Sequence, residues 1–214
     1  MVTYKRDPIP ANQTNKRPGT KIKPTTITIH STGVHDAPAK NFRAYLGRAD
    51  NVNKVSFHVV IDEIEAIECI PLDEAAWHAG NMAGNLSSVG VEICENGNRE
   101  KTLTAAAQVV AMLLLRLGLV PADLRQHYDW NGKNCPSILR NTKRWPEFCA
   151  KVTAEYERQK DTIKVSVLHN GSELCGGTLD GGTTTAPLRA VAEACGATVG
   201  WNGDMRIAEI VTKK

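Results

Sequence analysis

Thr25-Thr26-Ile27-Thr28-Ile29-His30 alternates polar and apolar side chains and is rich in β-branched residues, which reads as a strand. Ser31-Thr32-Gly33 interrupts the apolar face, so His30 stands at the strand's end. Working outward, residues 41–49 predict a short helix. Residues 55–61 and 65–70 predict two strands joined by the tight acidic turn Asp62-Glu63, a hairpin. Val89-Gly90-Val91-Glu92-Ile93-Cys94 predicts a fourth strand. The clearest helix spans residues 103–117, with apolar side chains at Leu103, Ala106, Val110, Leu113, Leu114 and Leu117. Thr102 is placed as its N-cap and Gly118 as its stop. Residues 121–125 read as helix-like, and a later helix runs over 146–158 with Pro146 in its first turn. Strands with intervening helices predict an α/β layer in which one sheet is covered by helices.

Composition changes after Gln159. The last 56 residues hold eight of the 17 glycines and a single aromatic, Trp201. Residues 163–168 alternate as a strand, and Asn170-Gly171 is a hairpin turn signal. Residues 187–194 predict a helix ended by Gly196. Residues 197–201 and 205–211 predict strands separated by Asn202-Gly203-Asp204. The expectation is a small C-terminal ββαββ domain over 159–214, hinged at 155–161 behind a larger domain over 1–158. At about 55 residues it would be marginally stable alone, so docking or dimerisation would help it.

The chain has 214 residues, 42% hydrophobic and 23% charged, which excludes a disordered or collagen-like polymer. No stretch approaches about 18 consecutive apolar residues, so no membrane span is expected. The leading residues carry no apolar core after their basic positions, so no secretory signal peptide is expected either. The net charge of +3 is unevenly spread: residues 1–24 hold six basic side chains and one acidic. This reads as a basic N-terminal arm, either solvated or lying on an anionic polymer such as nucleic acid or a wall polyanion. No nucleic-acid recognition motif accompanies it. The six cysteines are scattered without a C-x-x-C pair, so no disulfide framework is expected. Cys69 and Cys94 sit in apolar runs as small hydrophobes, whereas Cys135 lies among turn formers and polar groups.

Cys135 can be read with His30 and His127 as a metal site. Two imidazoles and a thiolate suit zinc, and three protein donors leave one tetrahedral position for water. Spacing alone does not select these three, because two histidines and a cysteine occur together in many chains.

Their surroundings do. Thr28-Ile29-His30-Ser31-Thr32, Ser56-Phe57-His58, Ala76-Trp77-His78-Ala79-Gly80, Ser88-Val89-Gly90-Val91-Glu92 and His127-Tyr128-Asp129-Trp130-Asn131-Gly132-Lys133-Asn134-Cys135-Pro136 follow in that order. Over residues 22–155 this resembles the zinc-dependent N-acetylmuramoyl-L-alanine amidase type 2 family of phage endolysins and autolysins, related to T7 lysozyme and the peptidoglycan recognition proteins. The resemblance implies a mixed central sheet flanked by helices, a Zn2+ cofactor held by His30, His127 and Cys135, and peptidoglycan as substrate. Two neutral imidazoles and a thiolate would leave the site with formal charge +1. Glu92, an acid where a plain β core would place Val or Thr, is implied as general base. Lys133, two residues before Cys135 on the same loop, is the candidate for stabilising an oxyanion. Some relatives carry tyrosine where this chain has Phe57, so a phenol's contribution is missing here.

His78 and Trp77 are expected at the groove wall as substrate-binding residues, although core positions remain open for both and for Trp130. His58 is expected as a packed histidine, His35 at the groove rim and His169 at the surface. Thr185-Ala186-Pro187-Leu188-Arg189-Ala190-Val191-Ala192-Glu193-Ala194, followed by Ala197-Thr198-Val199-Gly200-Trp201, resembles the stalk-type domain named from copper amine oxidases. Cell-wall binding or dimerisation is its implied role. The expected whole is a lysin made in the host cytoplasm and acting on the wall after release. A host autolysin and a non-catalytic peptidoglycan-binding module are the alternatives.

Overall fold

Ile27 and Ile29 are fully buried on one side of their strand, and Thr28 and His30 are buried on the other. The alternation in the sequence therefore marks a central strand covered on both faces, with its polar side inside the protein. The computed structural model describes residues 2–160, 164–180, 183–202 and 207–212. The chain divides into two units, Met1–Glu157 and Arg158–Lys214.

The larger unit is a six-stranded mixed sheet with helices around it. Its strands are β1 (Thr3–Arg6), β2 (Thr26–Ser31), β3 (Val59–Ile61), β4 (Glu65–Glu68), β5 (Ser88–Ile93) and β6 (Leu124–Gln126). Their order is β1-β4-β3-β5-β2-β6. The β3–β4 hairpin is antiparallel and every other pairing is parallel. The helices are α1 (Ala39–Leu46), α2 (Met82–Ser87), α3 (Arg99–Leu117), α4 (Tyr128–Asn131), α5 (Ser137–Arg140) and α6 (Trp145–Lys160).

One face of the sheet presents Ile27, Ile29, Val59, Ile61, Val89, Val91 and Ile93 to a single apolar cluster. Leu103, Val110, Leu113 and Leu114 of α3 and Phe148 and Val152 of α6 complete it. Each such side chain taken out of water contributes about 1.5–3 kcal/mol, and this cluster is the larger of two. The other cluster joins Val60, Ile67 and Cys69 to Ala39 and Leu46 of α1, and to Ile9 and Phe57. Among the described residues, no helix is long and apolar enough to cross a membrane.

Several element boundaries differ from expectation, each for a local reason. Helix α3 starts at Arg99, four residues before its apolar stripe. Its cap is Asn98, whose side chain accepts from the Lys101 N–H, while Thr102 is buried inside the first turns. The first turn is polar, so apolar periodicity does not reveal it. Gly118 ends α3 in the left-handed region (φ 68°), as expected. The strand expected over 55–61 is regular only at Val59–Ile61, because Ser56 pairs its backbone N–H with the Trp77 carbonyl instead. Residues 121–125 are not one helical segment: a 3-10 turn at Pro121–Asp123 leads into the edge strand β6 beside β2. Helix α2 carries no apolar period to announce it; Asn81 caps it by accepting from the Gly84 N–H.

The N-terminal segment departs most from its reading. Residues 3–6 form an edge strand parallel to β4, Ile9 is fully buried, and Lys16 is 1% exposed. Lys5 pairs with Glu65, Arg6 with Glu68, Arg17 with Glu74, and Lys21 with Asp73 and Glu74. Four of the six basic side chains of residues 1–24 are thus met by carboxylates 52 to 62 positions further along the chain. A segment bound this way is not a free arm for an anionic polymer.

The smaller unit comprises β7 (Lys164–His169), β8 (Ser172–Asp180), β9 (Thr183–Thr185), α7 (Leu188–Ala194), β10 (Ala197–Asn202) and β11 (Ile207–Thr212). It carries the short β9 in addition to the expected ββαββ order. Asn170 (φ 50°) and Gly171 (φ 81°) make the predicted two-residue turn between β7 and β8. The expected strand starts at 163 and 205, and the turn at 203–204, lie outside the described residues. All six cysteines are free.

Ile9→Ala tests the incorporation of the N-terminal segment. Removing this buried side chain should cost about 2–5 kcal/mol by denaturant unfolding. A loss under about 0.5 kcal/mol, the range of surface substitutions, would restore the solvated-arm reading.

Candidate metal centre

Parallel pairing of β2 with β5 places His30 directly beside Glu92. His30 is on the polar side of β2, at its end, and is 2% exposed. The His127 backbone N–H donates to the Ile29 carbonyl where β6 gives way to α4. From there a tight loop returns the chain to Cys135: the Tyr128 N–H donates to the Cys135 carbonyl, and the Cys135 N–H to the Lys133 carbonyl. The Asn131 side-chain oxygen accepts from the Lys133 N–H, and Ser31 and Ser137 join their hydroxyls across to α5. The loop is therefore anchored from inside and from both neighbouring elements.

His30 Nδ1 lies 3.0 Å from His127 Nδ1 and 3.7 Å from Cys135 Sγ. One donor atom from each of the three side chains falls within 4.8 Å of the other two. A single four-coordinate cation, about 2.0–2.3 Å from nitrogen and sulfur donors, bridges a cluster of this size. The donor chemistry fits as well. Burial holds both imidazoles neutral, with His30 well below its ordinary range and His127 lowered to about 4. Burial pushes the metal-free Cys135 thiol up to about 11. Among the described residues these three can hold a metal ion.

Glu92 projects onto the same face with its Oε1 4.0 Å from His30 Nδ1, and its Oε2 is buried without a hydrogen-bond partner. Burial raises its carboxyl to about 7, and the Lys133 charge opposes that shift. Lys133 is exposed on the loop, yet its charge also acts on His30, His127 and Cys135. A cavity of about 580 Å3 opens beside Glu92, lined also by Thr32, Val34, Phe42, Tyr45 and Phe57. Of the site residues Glu92 lines this cavity, and the same carboxyl lies against His30 of the donor cluster. A buried carboxylate next to a cation-binding cluster can exchange a proton with a polar substrate, and positive charge there can stabilise negative charge on it.

His78 is not on a groove wall. It is buried behind His30, where its Nδ1 lies 3.1 Å from His30 Nε2 and its Nε2 lies 3.0 Å from the Ser88 carbonyl. His78 Nε2–H donates to Ser88, so Nδ1 accepts from His30 Nε2–H. That arrangement leaves the His30 Nδ1 lone pair free on the side of His127 and Cys135. Such outer partners fix the tautomer and ring orientation of ligating histidines. The sequence signal for this was Gly90: a Cβ there would lie 2.5 Å from the His78 ring, and glycine inside a strand marks a close approach.

Trp77 is half-buried, and its backbone N–H donates to Ser56 Oγ. Trp130 donates its indole N–H to the Thr28 hydroxyl beneath the site. His58 is fully buried, donates to the Glu74 carbonyl and accepts from the Gly90 N–H, a packed neutral imidazole as expected. His35 is exposed beside Glu95, and His169 is exposed in the smaller unit.

The sequence profile of the family described as N-acetylmuramoyl-L-alanine amidase matches residues 20–138. N-acetylmuramoyl-L-alanine amidase XlyB of Bacillus subtilis (strain 168) is 36% identical over 154 residues, 69% of this chain and 48% of that protein. N-acetylmuramoyl-L-alanine amidase CwlH of the same strain is 34% identical over 178 residues, 80% of this chain and 69% of that protein. The chain thus spans about half the length of XlyB. The catalytic domain of XlyA superposes with a TM-score of 0.65 at 35% identity, covering 71% of this chain and 99% of that structure.

The contact from His78 to His30 has a measurable consequence. His78→Ala should weaken divalent-cation binding about 10–100-fold in competition with a metal-sensitive dye. Unchanged affinity would show that His30 is oriented without it.

Proposed function

The chain belongs to the N-acetylmuramoyl-L-alanine amidase family, and from that premise we propose that it hydrolyses the amide between N-acetylmuramic acid and L-alanine in peptidoglycan. In this reading the cofactor is zinc, held by His30, His127 and Cys135. The observation that carries it is the meeting of these three donors beside a carboxylate with a buried, unpartnered oxygen.

The lactyl–alanine amide is a poor electrophile and neutral water a poor nucleophile. When bound, zinc would bring the pKa of water to about 7 and polarise a carbonyl oxygen. Glu92 takes the proton from the attacking water and returns it to the leaving alanine nitrogen. A carboxyl held near 7 is suited to both transfers at neutral pH. Lys133 supplies positive charge toward the carbonyl oxygen as it becomes negative. Phe57 lines the cavity beside Glu92 but has no hydroxyl, so acid–base work rests on the carboxyl alone. His78 orients His30 and takes no part in holding substrate. Trp77 remains the aromatic assigned to the groove wall.

Residues 1–158 would be the catalytic domain. Residues 159–214, similar in motif to the stalk-type domain, would be an appendage for wall binding or dimerisation. Tethering to the wall raises the effective concentration of substrate around a catalytic domain. The whole reads as a lysin acting on the cell wall.

Turbidity of purified walls, with and without chelator, tests the activity. Chelator-sensitive clearing with new alanine amino termini and no new reducing sugar ends identifies the bond. Binding to walls without release of amino termini would instead select the non-catalytic module. Glu92→Gln should keep its metal and lose about a hundred- to ten-thousand-fold in turnover. Near-wild-type rates would remove Glu92 from proton transfer. Cys135→Ala should lower metal content and activity together, and full metal content would remove Cys135 from the ligand set.

A further inference from the structure

Among the described residues Lys16 is one of the largest side chains with essentially no exposure, at 1%, and no carboxylate of the described residues makes an ion pair with it. Its ammonium donates to the Asn51 side-chain oxygen at 2.9 Å and to the Asn53 carbonyl. Neither acceptor carries charge. A buried ammonium is normally matched by an anion, because desolvation costs several kcal/mol that neutral acceptors only partly offset. Nearby cations follow that rule: Arg17, the next residue, makes a two-pronged pair with Glu74.

Lys16 lines the same cavity as Glu92. The other walls are mostly apolar, with Phe42, Tyr45, Val55 and Phe57 among them. An ammonium has three N–H donors, and two are engaged. The position is preorganised as well. The Lys16 carbonyl accepts from the Ser56 hydroxyl, and Arg17 clamps the segment through Glu74 and the Ile9 carbonyl. Burial also lowers the affinity of Lys16 for its proton, a shift that an arriving anion would reverse.

We infer that Lys16 is a specificity-determining residue that pairs with a carboxylate of the stem peptide, just beyond the alanine whose amide is cut. This rests on the proposed amidase activity and adds to it a requirement on the leaving-group side. The cavity next to Glu92 then has two jobs: its apolar walls hold the peptide backbone and side chains, and Lys16 completes an ion pair that the free protein lacks. Stems in which that carboxylate is converted to a carboxamide would leave the ammonium buried and unpaired.

Two synthetic substrates make the test, muramyl-L-alanyl-D-isoglutamate and its isoglutamine counterpart, which differ only in carboxylate against carboxamide. The wild-type protein should favour the carboxylate by about 10–100-fold in kcat/KM, chiefly through KM, the range expected for a hydrogen bond to a charged group. Lys16→Met should bring the two substrates to parity, and Lys16→Arg should retain a preference. Equal wild-type rates overturn the inference, as does a Lys16→Met protein with a lower melting temperature and an unchanged preference. The second result would make Lys16 only a latch between its segment and residues 51–53. Should Lys16→Met not fold, the Lys16 side-chain nitrogen resonance in the Glu92→Gln protein decides. It should shift on adding the carboxylate dipeptide and not the carboxamide; no shift overturns the inference. If neither substrate is cleaved while the resonance shifts, the hydrolytic reading fails and the carboxylate site stands.

Discussion

The parallel register of β2 against β5 is the constraint on which the rest depends. It sets Ile27 beside Val89 and Ile29 beside Val91 on one face, and His30 beside Glu92 on the other. A slip of one residue would send every side chain to the opposite face. The apolar face is committed to α3 and α6, so its burial specifies the register of the polar face as well. Hydrophobic packing on one side of the sheet thereby fixes the separation of an imidazole and a carboxyl on the other.

The polar face needs its own support, because an unsatisfied group there carries the full desolvation penalty. Thr28 accepts from Trp130 and shares a hydrogen bond with Ser88; His30 leans on His78, and His78 on the Ser88 carbonyl. His58 joins the Gly90 N–H to the Glu74 carbonyl. These links run from β2 through β5 to the loops that follow β4, and they make the site an extension of the sheet. Among the described residues the Lys16 ammonium has no partner of opposite charge and one Glu92 oxygen has no hydrogen bond, and both residues line one cavity. A core built for stability alone would have paired or removed them.

The N-terminal segment shows how charge counting along a chain misleads. Residues 1–24 look like a basic tail because their counter-charges lie on β4 and on the turn at 73–74. Once β1 adds to the sheet edge, most of those cations neutralise acidic side chains that would otherwise crowd one edge. The same folding step carries Ile9 into the second apolar cluster and Lys16 to the cavity.

Strand alternation at 25–30, the apolar stripe of α3 with Gly118 behind it, and the Asn170-Gly171 turn were legible in the sequence, because each depends on neighbours a few residues away. The donor types at His30, His127 and Cys135, and an acid in an apolar strand at Glu92, were equally visible as chemistry that a plain core does not use. The polar first turn of α3, the edge strand β6 and the strand in the basic segment were not visible, since each is stabilised by partners far along the chain. Only the tertiary structure decided that His78 stands behind His30 rather than at the groove, and that Lys16 is enclosed without a counter-charge. Both follow from which side chains meet across the sheet, a property of long-range packing that no local pattern encodes.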